Sequence, residues 1–139
     1  MPISVALRAQ IVKRDKYRCR YCWTSEYNSG LEMHVDHITP ESKGGSSTPD
    51  NLCAACFSCN TRKQARSHAI DPATGVITEL FHPLRQHWQD HFAWDELKTS
   101  IIGLTACGRA TIAALSMNNE TIVRARRRWV NGGWHPPTD

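Results

Sequence analysis

No part of this 139-residue chain holds the run of about 18 apolar residues that a membrane-spanning helix requires, so no helical membrane span is expected. Met1–Gln10 also lacks the apolar stretch of a secretory leader, because Arg8 interrupts it early; a soluble protein working in the cytoplasm is the expectation. Internal repeats and low-complexity tracts are absent, which sets aside solenoid and linker-like readings. No heptad pattern announces a coiled coil, leaving a monomer or a weak homodimer. Charge of one sign is scarce as well: 17 Lys and Arg stand against 13 Asp and Glu, giving +4 and a pI near 8.8. Such a bias suits a polyanionic partner without demanding one. A chain this short buries only a modest core, so something beyond apolar packing should help hold it.

What positive charge there is gathers at the ends. Residues 1–70 carry ten basic and six acidic side chains, residues 71–117 three and five, and residues 118–139 four and two. A turn signal, Asp71-Pro72-Ala73-Thr74-Gly75, divides the pattern into an expected first domain over 1–70 and a second over 71–139. Ser4 followed by apolar residues at helical spacing predicts a capped helix ending near Asp15. Leu31–Ile38 reads as a strand with His34 and Asp36 on one face, and 57–67 as a helix bearing Arg62, Lys63 and Arg66. Beyond Gly75, the segments 76–81, 92–94 and 100–105 read as short strands, and 109–117 and 120–130 as helices separated by Asn118-Asn119. The fold class expected is α+β.

Six cysteines in such a chain point to thiols or metal ligands before disulfides. Cys19-x-x-Cys22 and Cys56-x-x-Cys59 are two knuckles separated by 33 residues, and together they supply the four thiolates of a tetrahedral zinc site. Cys53-x-x-Cys56 is an equally good pair by spacing, so Cys53 stays an alternative ligand; Cys56 and Cys59 are favoured because they adjoin the helix. Cys107 has no partner and reads as a small core residue. His87 and His91 stand four apart but lack a third ligand, which makes surface or packing histidines of them.

Between the knuckles lie His34-Val35-Asp36-His37-Ile38, then Gly44-Gly45, Asn51-Leu52 and Asn60. A carboxylate beside a histidine at a strand end, with carboxamides following, is what metal-assisted phosphodiester cleavage requires. A hard cation wants oxygen ligands and open positions for phosphate oxygens, and an imidazole titrating near neutrality can take a proton from water.

The order Cys-x-x-Cys, Asp-His-Ile-x-Pro, Gly-Gly, Asn-Leu and Cys-x-x-Cys-Asn-x-x-Lys, running from Cys19 to Lys63, resembles the HNH endonucleases. That resemblance implies a ββα-metal core stapled by zinc on Cys19, Cys22, Cys56 and Cys59. It implies His37 as general base, Asp36 and Asn60 as ligands of the catalytic divalent ion, and Asn51 holding the His37 loop through its amide. Asn60 stands where many relatives carry the final histidine of the family's name, and an amide oxygen suits Mg²⁺ or Mn²⁺. His34 is either a group supporting Asp36 from behind or a half-exposed strand histidine. The segment after Asp71 resembles a C-terminal extension found in some bacterial HNH proteins; its Trp88, Phe92, Trp94 and Trp129 read as core.

DNA is the expected partner. Lys43, Arg62, Lys63 and Arg66 flank the constellation and are candidates for phosphate contacts, whereas Lys13, Arg14, Lys16, Arg18 and Arg20 diverge in direction and are expected mostly to be solvated. In the last helix, at about 100° per residue from Ile122, Arg124, Arg127 and Arg128 fall opposite the apolar stripe and are candidates for a second DNA surface. Arg126 falls inside the stripe and should pack its stem there and find a carboxylate. A zinc-dependent DNA-binding module without catalysis is the alternative.

Overall fold

A computed structural model describes residues 3–138, and the chain divides into two compact units. The first unit ends at Ser67 and takes in His82–Gln86 as well; the second comprises His68–Phe81 and His87 onward.

In the first unit, helix α1 (Val5–Arg14) starts at Ser4, whose hydroxyl accepts the Leu7 N–H, and ends at Asp15. Its inward face supplies Ile11 and Val12. Asp15 is buried and anchors the helix to the next layer, accepting the Ala54 N–H at 2.8 Å and the Arg14 guanidinium at 2.9 and 3.1 Å. Arg14 also donates to the carbonyls of Pro49 and Leu52, and Arg20 to that of Pro83, so these two arginines are structural ties and not solvated charges. A four-residue helix, α2 (Glu26–Ser29), follows the first knuckle, capped by Ser25 and closed by Gly30 at φ 73°. It takes up chain next to the segment expected to start the strand: Met33 N–H is held by the Glu26 carboxylate, and β1 spans only His34–His37.

After the 3-10 turns Glu41–Lys43 and Pro49–Asn51 comes β2 (Leu52–Ala55), antiparallel to β1 with Asp36 opposite Cys53 and His37 opposite Leu52. Every residue of β2 is buried. Helix α3 (Phe57–Lys63) completes the ββα core. It stops earlier than the sequence pattern predicts, because Gln64 adopts φ 54° and the Arg66 guanidinium folds back onto the carbonyls of Arg62 and Lys63.

The second unit opens with a hairpin, β3 (His68–Ile70) and β4 (Ile77–Glu79), with the Asp71–Gly75 turn at its tip. A short helix α4 (Trp88–His91) leads into β5 (Phe92–Trp94), which pairs antiparallel with β6 (Ile101–Gly103). Helix α5 (Ala106–Leu115) begins three residues before the expected start because Thr105 caps it, accepting the Gly108 N–H. Helix α6 (Glu120–Asn131) is capped by Asn119. Phe81, Trp88 and Phe92 pack with ring centroids 5.1–5.2 Å apart along the chain Phe81–Phe92–Trp88, and Trp129 is buried, in line with the core reading of these aromatics. No helix among the described residues is long and apolar enough to cross a membrane.

Candidate active site and metal cluster

The two knuckles meet. The sulfurs of Cys19, Cys22, Cys56 and Cys59 all lie within 4.8 Å of one another, with Cys22 Sγ and Cys56 Sγ 3.6 Å apart. Zinc–sulfur bonds near 2.3 Å put tetrahedral sulfurs about 3.8 Å apart, so the cluster is sized for such an ion. Backbone N–H groups already point at the sulfurs: those of Tyr21 and Cys22 at Cys19 Sγ, and that of Cys59 at Cys56 Sγ. Burial pushes the Cys19 thiol up, while hydrogen bonding from Cys19 and the other two thiols brings Cys22 well down. Four buried sulfurs this close need a divalent cation to be thiolates together. Among the described residues this is the one grouping of three or more His, Cys, Asp or Glu ligand atoms. It can hold a structural metal such as Zn²⁺.

Cys53 is not in the cluster. The β2 register sets it opposite Asp36, and burial drives its thiol far above the ordinary range. Cys56 instead falls at the cap of α3 and Cys59 in its first turn. Cys107 lies half-buried in α5. His91 Nδ1 is 2.7 Å from Thr105 Oγ1 and His87 is only the residue before α4, so each is accounted for without a shared metal.

Asp36 and His37 end β1 and diverge. Asp36 is buried, and its Oδ2 accepts the Tyr21 hydroxyl at 2.8 Å. Burial raises its pKa, opposed chiefly by the positive charge of Lys63. His37 Nε2 is 2.9 Å from Ser47 Oγ and 3.7 Å from Glu41 Oε1. The loop that follows is closed by Asn51. Its side chain accepts the Thr39 N–H at 2.8 Å and donates to the carbonyls of Thr39 and Ser46 at 3.0 and 2.8 Å. The Gly44-Gly45 pair has a steric reason here. Gly44 sits at φ 87°, and a Cβ on Gly45 would stand 1.8 Å from the Thr39 carbonyl oxygen.

Asn60 lies on α3, half-buried, and its side-chain amide has no hydrogen-bond partner among the described residues. His34 is half-buried with its ring centroid 5.6 Å from that of Phe57. Lys43 and Arg62 are exposed, with Lys43 Nζ 3.2 Å from Ser67 Oγ and Arg62 Nε 3.3 Å from Ser58 Oγ. Arg66 is half-buried with its guanidinium turned onto helix carbonyls.

Lys63 corrects the sequence reading. It was expected to face phosphates, yet its side chain is 1 % exposed and its ammonium is held by Asp36, at 3.1 Å from Oδ2 and 3.3 Å from Oδ1, and by the carbonyls of His37 and Ile38, both at 3.1 Å. Tyr21 was missed altogether. The signal for both was helical and local: Lys63 follows Asn60 by three residues, on the same face of α3, and Tyr21 lies inside the first knuckle.

Comparison with known proteins agrees with this geometry. The HNH endonuclease family profile matches residues 19–66. Anaredoxin of Nostoc sp. is 36 % identical over 62 residues, covering 45 % of this chain and 76 % of that protein. The CRISPR-associated endonuclease Cas9 of Corynebacterium diphtheriae is 34 % identical over 86 residues, which is 58 % of this chain and 8 % of Cas9. No solved structure matches. This chain belongs to the HNH endonuclease family.

Proposed function

We propose that the chain is a divalent-metal-dependent DNA endonuclease acting in the cytoplasm, with the four cysteines holding structural zinc and the DHI strand end carrying the cleavage site. The observation that carries this reading is the Asn51 amide, which ties Thr39 to Ser46 and so fixes the loop that begins at His37 and returns past it at Ser47. A DNA-binding module gains nothing from immobilising an imidazole in this way.

The residues fit an oxygen-preferring ion. An ionised carboxylate has about four lone-pair sites; Asp36 gives three to Tyr21 and Lys63, leaving Oδ1 able to make one more bond. The Asn60 amide oxygen is uncommitted. Asp36 and Asn60 would therefore hold Mg²⁺ or Mn²⁺, which supplies charge stabilisation to the phosphate in the transition state. His37 removes the proton of the attacking water at a ring nitrogen. Ser47 and Glu41, both within reach of Nε2, orient that ring. His34 braces the strand face against Phe57, behind Asp36. Lys43 and Arg62, both exposed, supply phosphate contacts that hold the strand in register, while the Arg66 guanidinium is taken up by the carbonyls at the end of α3.

One observation favours the second reading, a zinc-dependent DNA-binding module without catalysis: the Asp36 charge is already compensated by Lys63. Supercoiled plasmid decides between them. Purified zinc-loaded protein is expected to nick it with Mg²⁺ or Mn²⁺, and not in EDTA or as His37→Ala. Binding without metal-dependent nicking would leave the module. One such site cuts one strand, so linear product is expected only late, from two copies or two encounters.

A further inference from the structure

Helix α6 carries four arginines within five residues, and the fold treats one of them oppositely to the other three. Arg126 is fully buried: its guanidinium donates to the carbonyls of Thr99 and Met117 at 2.9 and 2.7 Å and to Asn118 Oδ1 at 3.2 Å, and lies 5.1 Å over the Trp94 ring. Asn118 is itself fastened to β6, accepting the Ile101 N–H and donating to the Ile101 carbonyl. These bonds, with buried Trp129 one turn on, fix the rotation of α6 about its own axis. With the rotation fixed, Arg124, Arg127 and Arg128 face outward. All three are exposed, and none has an ion-pair or hydrogen-bond partner among the described residues, even though Glu120 stands four residues before Arg124.

Elsewhere the arginines are largely spent on structure: Arg14 and Arg20 on Asp15 and carbonyls, Arg66 on the end of α3, Arg109 on Asp71. The α6 face is thus a cluster of uncommitted guanidiniums on a rigid element. At 1.5 Å per residue, 124 to 128 spans about 6 Å, close to two phosphate steps of one strand at about 3.4 Å of axial spacing each, and so to three phosphates. Guanidinium forks match phosphate oxygens in a way that compact ammonium groups do not. A membrane surface is the poorer match, because an interfacial helix needs its apolar side free to enter the lipid, and the apolar side of α6 is occupied by Trp129 and Arg126 packing.

We propose that the Arg124, Arg127 and Arg128 face of α6 is a nucleic-acid docking surface, held in aim by Arg126, that grips the phosphate backbone without reading sequence. It deepens the nuclease reading, since it names a second place where the DNA substrate is held, yet binding can be measured without cleavage.

The test is fluorescence anisotropy of a labelled 20-base-pair duplex with zinc-loaded protein in EDTA, from 50 to 200 mM KCl, comparing the parent with a variant carrying Arg124→Gln, Arg127→Gln and Arg128→Gln. Three lost phosphate contacts should flatten the slope of log K against log salt by about 2.7, so the affinity gap between the two proteins should close by roughly 40-fold across that range. A second variant with lysine at the three positions should keep most of the slope. Equal affinity and slope for the parent and the glutamine variant, with unchanged melting, would overturn the proposal. So would glutamine-sensitive binding to phosphatidylserine vesicles alongside glutamine-insensitive duplex binding. Failure of the nuclease reading shows separately, as a parent that does not nick plasmid with Mg²⁺ while the slope difference remains.

Discussion

The Lys63 ammonium stands 3.1 Å from Asp36 Oδ2, and both side chains are withdrawn from solvent, at 1 % and 5 % exposure. One buried cation therefore compensates the charge of the proposed metal ligand and, through the carbonyls of His37 and Ile38, fixes the backbone of the proposed base. Removing one member of a buried pair strands the other. Lys63→Met should cost about 3–5 kcal/mol of unfolding free energy. The salt slope of DNA binding should be unchanged. Denaturant melts and anisotropy together separate this from a phosphate contact, which would lower the slope by about one and leave stability alone.

Zinc should be inseparable from the fold of the first unit. Chelation is expected to abolish the cooperative melt of that unit, because structural zinc contributes on the order of 10 kcal/mol or more. Elemental analysis should find one zinc per chain, lost in Cys59→Ser and retained in Cys53→Ser, since Cys53 lies outside the cluster. Retention in both would mean the ligand set is wrong.

His37→Ala should lower cleavage by roughly 10²–10⁴-fold, the usual worth of a general base, with zinc content and melting close to the parent. The histidine is 16 % exposed and holds no buried charge, so its loss leaves little unsatisfied. Near-parent cleavage would move the base elsewhere.

Gly45→Ala tests the loop rather than the chemistry. A methyl group 1.8 Å from the Thr39 carbonyl oxygen and 2.8 Å from Asn51 Nδ2 must displace one of the strands that Asn51 joins. Cleavage should fall at least tenfold while zinc stays bound. Gly44, at φ 87° with open space around it, should tolerate Asn better than Ala.

In the second unit Asp71 supplies a pH dependence with a definite sign. Hydrogen bonding from Arg109 at 2.9 and 3.0 Å, with the Ala73 N–H and Thr74 hydroxyl, holds its carboxyl well below the usual range. A depressed carboxylate contributes stability that is complete above its unfolded value, about 3.9, and is lost as pH falls through the lower folded value. Amide exchange at Ala73 and Gly75 should therefore be protected down to about pH 4 and quicken below it. In Arg109→Gln protection should fall at neutral pH, and the loss below about pH 4 should be smaller and finish at a higher pH, because the folded value lies closer to the unfolded one. An acid limb identical in parent and variant would refute the assignment.

The parts of this molecule legible in its sequence are those where chemistry dictates residue type at fixed spacing. Two knuckles, a carboxylate beside an imidazole and an amide after a glycine pair are specified by what they must hold. Periodicity also sorted α6 correctly, placing Arg126 inward and its three neighbours outward. It assigned Arg126 the wrong partner, a carboxylate: two backbone carbonyls and the Asn118 amide oxygen take its fork, beside the Trp94 indole face. Lys63 was illegible for a related reason. A lysine on a basic helix looks like surface until the strand beneath is known to present a buried carboxylate at the same level. Boundaries moved where one residue's backbone decided them, as at Gln64 and at Thr105.

Cys56 does two jobs with one sulfur, since the thiol that faces Cys22 also accepts the Cys59 N–H at the start of α3. The helix it starts bears Asn60 and Lys63. Oxidation of that cluster, or competition for its ion by a cellular thiol, would therefore loosen the first turn of the helix that faces Asp36. On the proposed nuclease reading, metal supply and thiol redox state would set what fraction of molecules is competent to cut at any moment.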